Sequence, residues 1–76
     1  MRDFLEFIVK HLVDQSDHVA LEEEEADNRV TFKVRVAQGE VGKVIGKNGR
    51  TAQAIRVLLA AVAAREGKRA VLEILD

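Results

Sequence analysis

Residues 41–55 read VGKVIGKNGRTAQAI, and the order of the whole chain turns on them. A short apolar segment holding Val41, Val44 and Ile45 runs into Gly46-Lys47-Asn48-Gly49, and an alanine-rich helical pattern begins at once at Arg50. The stretch reads as helix, four-residue turn, helix. Glycine at each end of the turn lets the backbone adopt positive φ and leaves no Cβ to hold another backbone away. The first N–H groups of the second helix have no partner within it and favour an anion, and Lys47 and Arg50 place formal positive charge beside them. Such a turn is chemically suited to gripping a phosphate.

Seventy-six residues make one domain, spanning 1–76, and a chain of this length hides only about 60% of its unfolded surface, so the predicted core is modest. Without cysteine there is neither a disulfide framework nor a thiolate metal site. No apolar run approaches the ~20 residues of a membrane span, and the N-terminus lacks a signal-peptide pattern; a soluble, cytoplasmic protein is expected. The formal net charge of −1 conceals two opposed regions. Residues 1–28 carry nine acids and two bases, residues 29–69 ten bases and two acids, and residues 70–76 two further acids. The turn lies in the basic part, where segregated charge creates a positive field that the net value hides. The acidic N-terminal part would repel a polyanion and confine it to one side.

Upstream of the turn, Arg29 to Ala37 alternates cleanly: Val30, Phe32, Val34 and Val36 face one way, Thr31, Lys33 and Arg35 the other. Ala26-Asp27-Asn28 is a turn by composition, and Val19 and Leu21 mark a preceding strand from about His18 to Glu25, giving a hairpin. Glu22 to Glu25 lack the Asp/Gly spacing of a calcium loop and alternate in direction along a strand, so they read as a solvated edge that discourages edge-to-edge pairing. Met1 to Val13 is an amphipathic helix with Phe4, Leu5, Ile8, Val9 and Leu12 at three- and four-residue spacing. Asp3 and Glu6 have capping-box spacing, and Phe7 and His11 fall at the margin of the apolar face.

Downstream, the helix from Arg50 to about Glu66 ends at Gly67, a C-terminal cap. Ala52, Ile55, Leu59 and Val62 form its predicted buried stripe, and Val57, Ala60, Ala61 and Ala64 a second one on another side. Alanine is the best helix former, which alone accounts for these residues; small side chains also let another helix approach, so the stripe is a candidate homodimer or partner surface. Arg69 to Leu75 is a final strand, apolar on both sides, as central strands often are. The predicted class is α+β, order α-β-β-α-α-β, with a three-stranded sheet and helices packed on one face.

Rival chemistries fail on spacing. A Walker A loop needs G-x-x-x-x-G-K-[ST], whereas Gly42 and Gly46 are one residue too close and Asn48 stands where the hydroxyl should be; the dinucleotide fingerprint G-x-G-x-x-G is absent. His11 and His18 are seven apart, not the four of a helical metal pair, and ordinary surface roles account for both. Ser16 is the only serine, and with no cysteine a nucleophilic triad has little to build on. Neither an enzyme, a metal site nor a cofactor is expected.

Val44-Ile45-Gly46-Lys47-Asn48-Gly49, with Ile55 six residues after the turn, resembles the signature of K-homology (KH) domains, in which a GXXG loop clamps the backbone of about four single-stranded nucleotides. The element order and length resemble the small, single-domain bacterial type II members. One position departs from the pattern: Ala52 stands where the family usually has a large aliphatic residue, which implies a shallower groove or a looser base preference. The resemblance implies sequence-tolerant binding of single-stranded RNA. Lys43, Val44, Ile45, Gly46, Lys47, Asn48, Gly49 and Arg50 would make the contact, and Val34, Val36 and Val41 would floor an aliphatic groove. Three phenylalanines are too few for the aromatic platforms of other RNA-binding folds. The resemblance further implies a second KH-containing protein as partner and a role as RNA chaperone or post-transcriptional regulator. The alternative is a KH fold acting as a protein-interaction subunit through the alanine-rich helix.

Overall fold

A computed structural model describes residues 1–75 of the chain; Asp76 lies outside the described residues. The chain forms α1 (Arg2–Leu12), β1 (Ala20–Ala26), β2 (Arg29–Arg35), α2 (Val41–Ile45), α3 (Arg50–Arg65) and β3 (Arg69–Leu75), with 3-10 turns at Ser16–His18 and Lys47–Gly49. This is the α-β-β-α-α-β order and α+β class that the sequence predicts. The turn at Ser16–His18 delays β1 to Ala20, two residues later than the apolar pattern suggests.

Alternation in β2 sets the two faces of the sheet. Val30, Phe32 and Val34 are 0–1% exposed, while Arg29, Thr31, Lys33 and Arg35 lie on the other face. Leu5 and Val9 of α1, Val44 of α2, Ile55 and Leu59 of α3, Leu21 of β1 and Leu72 of β3 join them in one core, all on the helix-covered side. Phe32 is fully buried at the centre. Truncating it to alanine would cost about 3–5 kcal/mol, against roughly 4–11 kcal/mol of total stability for a chain of this size.

β2 is the central strand. It pairs antiparallel with β1, joined by the tight turn at Asp27-Asn28, and parallel with β3, register Arg29 to Arg69 through Arg35 to Leu75. The parallel pairing is reached through a crossover that contains both α2 and α3, which delivers the turn between them to one end of the sheet. β3, apolar on both faces, is an edge strand and not the centre: side-chain alternation reports which faces are covered, not how many neighbours a strand has.

Three local expectations also yield. Asp3 and Glu6 form no capping box, because Met1 is the N-cap and its carbonyl accepts the Leu5 N–H at 3.0 Å. Phe7, 63% exposed, stacks its ring on that of His11 at 4.3 Å between centroids, and His11 Nδ1 donates to the Phe7 carbonyl, so the two satisfy each other in solvent. In α3 the fourth buried position is Ala63, with Val62 only half-buried. The helix face against β3 drifts by one residue, as 3.6 residues per turn requires.

Candidate nucleic-acid interface

The turn between α2 and α3 is built on three unusual backbone conformations within four residues. Gly46 sits at φ 78°, ψ 174°, Asn48 at φ 58°, ψ 26° and Gly49 at φ 74°, ψ 12°. Asparagine is one of the few residues with a side chain that tolerates the left-handed region. Gly46 N–H closes α2 on Gly42 O at 2.8 Å, and Gly49 N–H closes the turn on Gly46 O at 3.1 Å.

The two glycines are needed for different reasons. A Cβ on Gly46 would stand 2.1 Å from Thr51 Oγ1 and 2.9 Å from Thr51 N, so the first turn of α3 packs directly on this residue. A Cβ on Gly49 would meet nothing within 4 Å, and only its positive φ calls for glycine. The close approach allowed at Gly46 is thus used by the chain itself, while the space around Gly49 is open.

Lys47, Asn48 and Arg50 are all exposed on this turn. Neither Lys47 nor Arg50 makes a salt bridge among the described residues. α3 starts without a side-chain cap. The Arg50 N–H is closed on Lys47 O within the turn, so two unneutralised cations and a neutral polar side chain, and not open backbone donors, are what converge on this patch of surface.

Lys43 is placed differently. Its ammonium donates to Asp14 Oδ2 and lies 3.8 Å from Glu40 Oε2, across the junction between α2 and the loop after α1. The hydrogen bond to Asp14 is the main cause holding its pKa above the ordinary lysine value. Its charge is neutralised within the chain, unlike those of Lys47 and Arg50.

Glu40, the N-cap residue of α2, is the one buried charged residue among those described, 5% exposed. Its two carboxylate oxygens accept the backbone N–H groups of Asp14 at 2.6 Å and Gln15 at 2.9 Å. It thereby ties the segment after α1 to the base of α2 and fixes the angle at which the turn is presented. One signal was available in the sequence: Glu40 and Glu66 are the only acids in the basic stretch 29–69.

Apolar surface beside the turn is narrower than the sequence suggests. Val34 and Val44 are 0% exposed and Val36 is 4% exposed, so all three lie in the core and offer no surface to a ligand. Ile45, 38% exposed, and half-buried Val41 are the residues of the expected groove that keep apolar surface beside the turn. Ala52 is buried, packed under the start of α3. On the far side of α3, Val57, Ala60, Ala61 and Ala64 are all exposed, with Leu58 beside them.

Comparison with known proteins bears on this geometry. The family model described as KhpA/KhpB, KH domain matches residues 2–74. The chain belongs to the KhpA/KhpB KH-domain family. Among its relatives, the RNA-binding protein KhpA of Borreliella burgdorferi is 50% identical over 74 residues, covering 97% of this chain and 90% of its own. The RNA-binding proteins KhpA of Chlamydia trachomatis and Aquifex aeolicus are each 46% identical over 76 residues, covering all of this chain and 97% and 96% of theirs. No solved structure matches significantly. Among the described residues no helix is long and apolar enough to cross a membrane, and no cluster of side chains could hold a metal ion.

Proposed function

We propose that this protein binds single-stranded RNA with little sequence preference, gripping the sugar-phosphate backbone with Gly46-Lys47-Asn48-Gly49. The observation that carries this reading is the exposed turn at the uncapped start of α3, where Lys47 and Arg50 are left without acidic partners. Lys47 and Asn48 hold phosphate, Arg50 adds charge, and Ile45 with Val41 gives bases an aliphatic wall. Relatives named RNA-binding protein KhpA support it. Two to four phosphates neutralised on a single strand give a slope of log affinity against log salt of about −1.5 to −3. One small domain binds weakly, so a second copy or a KhpB-like KH protein adds avidity, and weak, sequence-tolerant binding suits a cytoplasmic RNA chaperone or post-transcriptional regulator without catalytic activity.

The double substitution Lys47→Asp with Asn48→Asp tests the reading. Both side chains are exposed, so the fold survives while two carboxylates repel phosphate. Loss of RNA crosslinking by the folded variant is expected; unchanged crosslinking overturns the reading and favours the second one, a KH fold that serves as a protein-interaction subunit. That alternative draws on the exposed apolar side chains of α3, Val57 at 59% and Leu58 at 47%.

A further inference from the structure

Charge on the helix-free face of the sheet is sorted in rows across the strands. Register sets Glu22, Lys33 and Glu73 side by side, so that a central lysine has an acid on each flank, and Glu24 accepts from its ammonium at 3.2 Å. The hydrogen bond to Glu24, and then the charges of Glu73 and Glu22, hold the Lys33 pKa above its ordinary value. That row is balanced. The row at the hairpin end, Ala26, Arg29 and Arg69, is not.

Arg29 and Arg69 stand directly beside each other on parallel strands, with Cα atoms about 4.8 Å apart, and like charges so placed repel. Both are exposed, and neither guanidinium makes a hydrogen bond or an ion pair among the described residues. With Ala26, Asp27 and Asn28 they line a groove of about 340 Å³. The Arg69 N–H donates to Asn28 O at 2.7 Å, which ties the start of β3 to the hairpin turn. Asp27 is the one carboxylate in the lining and forms no salt bridge with either arginine. Two planar guanidiniums on paired strands, beside the space that a small alanine leaves, present forked donors to the oxygens of one phosphate.

We propose that Arg29 and Arg69 form a second phosphate site, which takes a backbone phosphate of single-stranded RNA beyond the nucleotides held at Gly46-Lys47-Asn48-Gly49. The site rests on the RNA reading above and extends it to the far end of the domain. α3 sets the separation: it starts at the turn, leads through Gly67 and Lys68 to Arg69, and its 16 residues span about 24 Å. The pair therefore lies well beyond the screening length of about 8 Å at physiological salt. It cannot act on a strand held only at the turn.

Charge also leaves a route between the two sites. The β1 edge, with Glu22 to Glu25 all exposed, repels a polyanion. α3 does not: it carries exposed Arg50, Arg56 and Arg65 and no acid anywhere along its length. A KH turn clamps about four nucleotides, which fall short of the arginine pair. Even at about 3.4 Å per nucleotide, twelve more would span about 41 Å, which exceeds the longest dimension of the domain, 34 Å. A strand of about sixteen nucleotides reaches both sites.

Titration with single-stranded RNA of about four and about sixteen nucleotides separates the two sites. Arg29→Gln with Arg69→Gln should weaken binding of the long strand about tenfold and lower its slope of log affinity against log salt by about 0.7. Binding of the short strand should not change. The variant should fold at least as stably as the wild type, because it removes two exposed charges that repel each other. Asp27→Asn takes away the carboxylate in the groove and keeps a residue suited to the φ of 54°, so it should tighten binding of the long strand alone. Unchanged binding of the long strand by the double variant overturns the second site. So does an equal loss on both lengths, the mark of a diffuse field instead of a contact. Failure of the RNA reading itself looks different: there, Lys47→Asp with Asn48→Asp leaves both lengths bound as before.

Discussion

Both ends of α3 carry a glycine at nearly the same backbone angle, Gly49 at φ 74° and Gly67 at φ 71°, and they are put to opposite uses. At the C-terminal end the chain closes on itself. Lys68 N–H returns to Ala63 O at 2.9 Å and Gly67 N–H to Ala64 O at 3.1 Å, the paired bonds of a Schellman motif, so the last carbonyls of the helix are satisfied within the chain. At the N-terminal end no side chain caps the helix and two free cations stand beside it. The same torsion thus closes the backbone at one end and, at the other, leaves exposed side chains unneutralised. The open end is held in position from outside, by Thr51 against Gly46 and by Glu40 at the foot of α2.

The strongest way to break the open end is to fill the one place where it is packed. Gly46→Ala forces a side chain into a φ/ψ region that is close to glycine-only and drives its Cβ into Thr51. Together these cost about 2–4 kcal/mol, so thermal denaturation should show a loss of stability that no other single glycine change in the chain matches. RNA binding should fall with it.

Glu40→Ala comes next. It leaves the Asp14 and Gln15 N–H groups without their acceptor and should cost about 2–3 kcal/mol. Glu40→Gln, which keeps an acceptor oxygen, should cost less. Measured by urea denaturation, equal stability of wild type and Glu40→Ala would show that α2 is not held this way.

Matched substitutions sharpen the comparison. Gly49→Ala and Gly67→Ala both put a Cβ into open space at positive φ, and each should cost about 1 kcal/mol, lowering the melting temperature by about 4–8 °C. Only Gly49→Ala should also weaken RNA binding, seen in titrations of the folded proteins well below their melting temperatures. Equal effects on RNA would mean that the two ends are not functionally distinct.

Much of this was legible in the residues because local chemistry decided it. The positive-φ turn, the alternation of β2 and the glycine stop at Gly67 each follow from a few neighbouring side chains. What escaped depends on contacts distant in sequence. Glu40 finds its partners 25 and 26 residues away, and no local pattern announces that. Val34 and Val36 lie on a correctly predicted apolar face, yet whether that face meets helices or ligand is settled by how α2 and α3 fold back over it. The apolar pattern of β3 points to a central strand for the same reason, since strand order depends on the crossover through α2 and α3 and not on the side chains of the strand itself.

The smallest expected effect concerns two lysines four residues apart. Lys43 and Lys47 look equivalent in sequence, both basic and both beside a glycine, but Lys43 is already engaged by Asp14 and Glu40. Its raised pKa means that it is protonated beside these partners at neutral pH, and the stability that this shift contributes is lost as pH rises through the lysine range, above the unfolded value of 10.5. Lys43→Met should therefore leave the salt dependence of RNA binding unchanged. Lys47→Met should reduce the slope by about 0.7, one phosphate contact on a single strand. If Lys43→Met reduced the slope equally, phosphate would have to draw Lys43 away from Asp14, and the basic surface would extend along α2 instead of ending at the turn.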